Sequence, residues 1–343
     1  MKFNISIARE LELTNIRKFI EKHWNENHIL AKNIDLIKEF YGNKKKLNFF
    51  IAKNNNKIIG ILGFVPSYKF SKHKNCEDCT IWIALLKTLD KYPGLGIKLV
   101  LKLIKTFNNK YIAVNGINEN SEKLFTLLGF KIGTLRHFYK TNEKINKFYL
   151  VKKNQKNKFN NKEKKFKNNK LIEINSSNIN ILKDLKYNDK NKEYILNKYV
   201  KNRFYEYSVI ANYSKKKILS LLVFRICNYK NSKSIRIVDF LGNFNKSEIL
   251  INYLNKLMLK INAEYIDFYQ TGISKNNIIK NQFIENLYND QIIIPNYYEP
   301  FLKKNIKIKY GILKNKNINK FKIFKADGDQ ERPNILINTQ YQF

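Results

Sequence analysis

One order of elements occurs twice in this 343-residue chain: a β-hairpin, a buried strand, an amphipathic helix, another strand and a short helix. In the first half, LNFFIA (47–52) and IIGILGFV (58–65) flank the turn 53–57, and TIWIALLK (80–87) alternates so little that both its faces must be covered. Residues 97–107 carry apolar side chains at helical spacing, followed by a strand at 111–114, a helix at 119–128 and the start of the last strands at 130–132 and 138–139. Two more helices, 14–22 and 33–40, precede the hairpin. The second half repeats the series. Strands at 207–212 and 218–226 flank the turn 213–217. A buried strand at 235–241, a helix at 247–261, a strand at 265–269 and a helix at 281–286 follow. The fold class this implies is α/β, with two tandem domains, each a mixed and mostly antiparallel sheet flanked by helices. The expected boundaries are 1–150 for the first domain, 151–171 for a linker and 172–343 for the second domain.

Composition supports two packed domains. Hydrophobic residues make up 43% and aromatics 14%, enough for real cores, which rules out a globally disordered chain. With 12 Gly and 5 Pro, collagen-like and Pro-rich chains are out. No apolar run approaches the roughly 18 residues of a spanning helix. Arg9 and Glu10 interrupt the N-terminus before any apolar segment builds, so no secretory leader is expected. Three Cys suit a reducing compartment, and the expected location is cytoplasmic.

The net charge of +37 leaves two readings open. The excess is almost all Lys, spread along the chain in the company of Asn and Ile, as an A/T-rich genome would produce. The alternative is a surface for polyanions, which would bring nucleic acid or phosphorylated ligands into play. The Lys/Asn run 152–170 is read as an exposed linker. Its Phe159 and Phe166 are too sparse to stack nucleic-acid bases.

The strongest local signal for chemistry is a strand, then Lys91-x-x-Gly94-x-Gly96, then a helix. A helix N-terminus behind glycines offers unpaired amides and a positive dipole end to a phosphate. Its place after the third strand, without a third Gly, disfavours a dinucleotide fingerprint, and no Gly-Lys-Ser/Thr follows to make a P-loop. Farther on, Asn118-Glu-Asn-Ser121 leads through Phe125 to Gly129-Phe130. Taken together, the two motifs resemble those of the GCN5-related N-acetyltransferases. That resemblance covers residues 1 to about 140, and the second half looks like a degenerate copy of the same fold, with Asp239-Phe-Leu-Gly-Asn-Phe-Asn245 in place of the glycine loop.

The resemblance implies acetyl-CoA as acyl donor, held through Lys91, Gly94, Leu95, Gly96, Ile97, Asn118 and Phe125, with no metal. Lys91 stands where the family usually has Arg or Gln. Phe125 stands where many members carry a Tyr that protonates the departing thiolate, so that proton must come from elsewhere. The acceptor region of the family falls on Trp24 and His28, and Trp24-x-x-Asn-His28 is similar to a pattern in acetyltransferases encoded with surface-polysaccharide genes. His28 is the candidate catalytic base, because its unperturbed pKa lies near neutrality. His137 is a further candidate for acceptor binding. The acidic segment 326–334, with Asp327, Asp329 and Arg332, resembles a C-terminal segment of the same polysaccharide-linked group. It is expected to fold back onto the acceptor site. The acceptor implied is an amine on a nucleotide-linked amino sugar. The alternatives are a transferase using aminoacyl-tRNA and a non-catalytic binding protein. A zinc site at His73-x-x-Cys76-x-x-Cys79 lacks a fourth ligand and is not expected.

Overall fold

The computed structural model describes residues 3–71, 79–108, 110–153, 169–187, 189–289, 291–298, 301–313 and 321–331. The first sheet is built on β1 (Asn4–Arg9), β2 (Lys46–Asn54), β3 (Lys57–Pro66), β4 (Thr80–Thr88), β5 (Tyr111–Ile117) and β6 (Phe130–Thr134). Asn55 and Asn56 turn the β2–β3 hairpin in left-handed conformations, φ 47 and 62, which Asn tolerates better than most residues. Strand β2 shows why the chain needs helices on both sides. Leu47, Phe49 and Ile51 face one core, and Phe50 and Ala52 face the other. Helices α1 (Leu13–His23), α2 (Ile29–Lys32) and α3 (Ile34–Tyr41) close the first face. α3 buries Leu36, Ile37, Phe40 and Tyr41 at helical spacing. Helix α4 (Leu95–Thr106) covers the second with Leu95, Leu99, Val100 and Leu103, joined there by Phe125 of α5 (Glu119–Leu127).

The second sheet comprises β7 (Arg136–Thr141), β8 (Lys170–Glu173), β9 (Ser208–Ser214), β10 (Lys217–Tyr229), β11 (Ser232–Gly242), β12 (Tyr265–Thr271) and β13 (Ile284–Glu285), with α6 (Glu248–Lys260) packed on it. Its order is β8-β9-β10-β11-β12-β7-β13. Two short late strands complete the pair of sheets: β14 (Lys309–Leu313) and β15 (Ile323–Phe324).

Each sheet borrows a strand from the other half of the sequence. β7 follows β6 in the chain but pairs with β12, Asp267 opposite Tyr139. β14 crosses back to lie between β5 and β6, Gly311 opposite both Val114 and Ile132. The expected boundary at 150 placed β7 in the first domain, and β14 was expected in the second. The structure puts both in the opposite sheet. Phe138 packs in the second core and Ile312 in the first, and an alternating strand pattern specifies burial without naming the partner. The helix expected at 281–286 is instead a helix at Lys275–Ile279 and strand β13, because six residues cannot separate the two periods. The ends of the Lys/Asn run pair as strands: Lys152 and Lys153 with Ile293 and Ile292, and Lys170 with Tyr213. Residues 154–168 of that run lie outside the described residues. Among the described residues no helix is long and apolar enough to cross a membrane.

Both sheets contain one parallel pair that parts midway. β4 and β5 pair from Thr80 and Tyr111 to Ile83 and Val114, then diverge. β11 and β12 pair from Ser234 and Tyr265 to Ile237 and Phe268, then diverge too. β15 pairs with β12 beyond that point, and Ala326 N–H donates to the Val238 carbonyl of β11 at 3.0 Å. The second opening is therefore filled by the chain itself.

Candidate active site

The first opening holds a cavity of about 250 Å³. Residues 83–86 of β4 form one wall and 114–118 the other. Each wall carries a β-bulge at the cavity. On β4, Gly63 and Phe64 pair with Leu85 and Ile83, leaving Ala84 as the extra residue. On β5, Tyr310 and Lys309 pair with Asn115 and Ile117, leaving Gly116, whose φ is +81. A bulge turns backbone groups out of the ladder, which supplies donors and acceptors without side chains. Neither bulge is visible in a single sequence, since each is a mismatch between strands that only the fold brings together.

The glycine loop follows β4 in the chain. Gly94 is the N-cap of α4 in a left-handed conformation, φ +76, and a Cβ there would meet nothing within 4 Å. The Leu95 amide bonds the Tyr92 carbonyl at 3.3 Å, so the first-turn donors without a helical carbonyl are the amides of Gly96 and Ile97. Gly96 serves a different need. A Cβ at Gly96 would lie 3.2 Å from Leu124, so this glycine lets α4 and α5 approach. Leu95 is a core residue at 1% exposure, Ile97 is half-buried, and exposed Lys91 holds its ammonium 5.3 Å from the Tyr92 ring. Asn118 caps α5, its Oδ1 accepting from the Ser121 amide at 2.8 Å, and Phe125 packs on Phe130 at 5.0 Å. Both line the cavity, and Ser121 contributes a hydroxyl one helical turn before Phe125.

Trp24 and His28 form the rim, their rings 5.6 Å apart and Trp24 41% exposed. His28 is the N-cap of α2, and its Nδ1 accepts from the Leu30 amide at 3.2 Å. A neutral ring with Nδ1 so engaged carries its proton on Nε2, and offers a donor in place of a basic lone pair. His28 thus sits in the lining with Nδ1 bonded to its own helix.

The acidic segment reaches the cavity. Asp329 and Gln330 line it, and the turn 325–331 bridges the two sheets. Asp329 Oδ2 accepts from the Tyr41 hydroxyl at 2.6 Å. The Gln330 amide lies on Gly116, so close that a Cβ there would sit 2.3 Å from its Oε1. Gly328, φ +68, turns the chain against Trp82. Asp327 does not line the cavity. It is buried 2.8 Å from Lys190, whose ammonium also bonds Asp239 at 2.8 and 2.9 Å. Glu331 is likewise buried between Arg225 at 2.5 Å and Lys325 at 3.0 Å. Lys198 donates to the Ala326 carbonyl at 2.5 Å and to the Tyr194 hydroxyl at 2.8 Å, and burial pushes its ammonium down to about 8. The segment thus divides its acids, two for anchorage and one for the cavity. Arg332, His73 and Cys76 lie outside the described residues.

His137 is the clearest departure from expectation. It lies on β7, 1% exposed, with its ring stacked on Tyr269 at 4.0 Å. Its Nε2 is 3.2 Å from Asp267 and its Nδ1 3.2 Å from the Asn286 amide. Burial pushes the imidazole below its ordinary pKa, against the pull of Asp267. Asp267 in turn takes the Arg236 fork at 2.9 Å from both Nε and Nη2. His137 is a core residue of the second sheet, carried there by the strand exchange. The cavity residues that sequence reasoning missed are Ala84, Asn115, Gly116 and Gln330. Of these only Gln330 had a signal, its place inside the acidic segment.

The fold recurs among solved structures. The GCN5-related N-acetyltransferase from Anabaena variabilis superimposes with a TM-score of 0.56 at 11% identity, over 91% of this chain and 72% of that one. A conserved protein from Enterococcus faecalis gives 0.54 at 8% identity, over 91% and 73%. The GCN5-related N-acetyltransferase from Kribbella flavida gives 0.53 at 8% identity, over 91% and 70%. The fold is that of the GCN5-related N-acetyltransferases. No protein-family model matches the sequence, and no curated protein matches it.

Proposed function

We propose that this chain is an N-acyltransferase that moves an acetyl group from acetyl-CoA to an amine. The observation that carries the reading is the open cleft between β4 and β5, bulged on both walls, with β4 leading into a helix that starts at a left-handed Gly94. The donor's pyrophosphate would lie on the amides that follow Gly94, with Lys91 nearby, and Asn118 and Phe125 would border its reactive end. The Ala84 amide, turned out by its bulge, suits a carbonyl oxygen that becomes negative as the amine attacks. Ser121 replaces the absent Tyr hydroxyl as the nearest proton source for the thiolate.

An amino sugar is the acceptor this rim supports best. Trp24 offers a flat apolar face at the mouth, while His28 beside it and Gln330 and Asp329 of the acidic segment supply polar groups to the same cavity. A nucleotide carrier would draw on the net charge of +37, and the acidic segment's likeness to the polysaccharide-linked group favours cytoplasmic synthesis of cell-surface glycans.

The test is Gly94→Ala. A methyl group at Gly94 meets open space in the free protein, so the fold tolerates it at the cost of a left-handed Ala. Affinity for CoA, measured by calorimetry, should fall more than tenfold, about 1.4 kcal/mol. Unchanged affinity, or no CoA binding by the wild-type protein, removes the assignment.

A further inference from the structure

We infer that Asp329 is the general base of the acceptor amine and that Tyr41 is its positioning residue. The inference rests on the acyltransferase reading and adds the group that the sequence left unassigned. Among the described residues lining the cavity, Asp329 is the sole carboxylate and His28 the sole imidazole. The Leu30 amide occupies Nδ1 of His28, which leaves that ring a donor. Asp329 is therefore the Brønsted base within the lining.

Its placement is rigid at both ends. Tyr41 is fully buried on α3, packed at a tilt against Phe49 with ring centroids 4.6 Å apart, and donates to Oδ2 at 2.6 Å. The residues two before and two after, Asp327 and Glu331, are locked by Lys190, Arg225 and Lys325. A carboxylate held this way keeps one geometry through the reaction.

The proton balance is simple. The acceptor ammonium gives one proton to the Asp329 carboxylate, and the neutral nitrogen attacks the thioester carbonyl. The C–N bond forms and the C–S bond breaks, with the sulfur taking the electron pair. The nitrogen loses its second proton as the amide forms. The thiolate takes one of the two protons and water the other.

Around Asp329 stand Tyr41 from α3, His28 in the same lining, and Lys325, Asp327 and Glu331 on its own turn. Behind them stand Lys190, Lys198 and Arg225. The Tyr41 hydroxyl fixes the orientation of the carboxylate, and Tyr41→Phe removes that tether.

The experiment compares D-glucosamine, an ammonium near neutral pH, with hydroxylamine, which is neutral there and needs no base before attack. Acetyl-CoA is the donor in both. Asp329→Asn should lose about 10²–10⁴-fold in kcat/KM with glucosamine. It should keep its rate with hydroxylamine and its acetyl-CoA affinity within about threefold, the size of ordinary context effects. Tyr41→Phe should lower kcat with glucosamine about 10–10²-fold and leave KM and the rate with hydroxylamine within about threefold. Equal losses with both amines in Asp329→Asn, or an unchanged kcat with glucosamine in Tyr41→Phe, overturn the assignment. So does wild-type protein that binds acetyl-CoA and acetylates neither amine. Wild-type protein that fails to bind acetyl-CoA instead overturns the acyltransferase reading beneath it.

Discussion

The two parallel strand pairs of this molecule start alike and end differently. In each, the strands part after four paired residues, and a bulge lies on the strand beside the opening, at Ala84 in one and Val238 in the other. In the first, the opening is a cavity, and the strand leads into α4 through a glycine N-cap. In the second, β15 occupies the gap, and the Val238 carbonyl is bonded to Ala326. The helix that follows also differs. α6 is preceded by a helical turn at Phe244–Lys246, and Gly242 is packed against the Leu219 carbonyl. The lesson is that the second cleft has become a holder. It grips 323–327, and the same turn then delivers Asp329 and Gln330 to the first cleft.

The largest effect should come from breaking the grip. Lys190→Met leaves Asp239 and Asp327 buried without the cation they share, and removing one partner of a buried ionic cluster costs about 3–5 kcal/mol. The denaturant midpoint should fall accordingly. A midpoint equal to wild type would mean that the plug is not held by its charges.

A smaller effect separates the two glycines. Gly242, φ +93, would place a Cβ 2.6 Å from the Leu219 carbonyl oxygen. Gly242→Ala should cost roughly 1–3 kcal/mol of stability and leave CoA affinity untouched, the reverse of Gly94→Ala. Thermal melts and calorimetry on both variants check the pair. Loss of CoA affinity in Gly242→Ala would show that the second half still takes part in donor binding.

The smallest effect is a pH dependence. Burial lowers Lys198 and Lys140 to about 8 each. Between that value and the ordinary Lys range, the unfolded chain holds a proton at each site that the folded chain has released. Stability from these groups therefore rises with pH across that window, by about 1 kcal/mol per group and pH unit. Urea melts at about pH 8 and pH 9 should show the rise, with Lys198→Met flattening the share that comes from Lys198. An identical slope in the variant would place Lys198 in water.

Part of the cavity's lining was legible because its signals are local. Trp24, His28, Asn118, Phe125 and Asp329 each sit in a short run whose residue types stand out, and these five line one opening. His137 misled because its neighbours in sequence are not its neighbours in space. Its strand leaves the first half and pairs with β12, where Asp267 and Asn286 absorb both ring nitrogens.

What the amino-acid sequence by itself determined is most of the order of elements, the two strands buried on both faces, the glycine turn at the start of α4 and the acidic segment. Hydrophobic period, turn chemistry and capping act over a few residues, and they survive without a partner. What only the tertiary structure decided is which sheet each strand joins, where the bulges fall, which cleft stays open and which acid faces it. Those depend on a second segment hundreds of residues away: Lys190 for Asp327, Arg225 for Glu331 and Tyr41 for Asp329. An acid's role is settled by the charge or hydroxyl that meets it, and that meeting exists only once both sheets have formed.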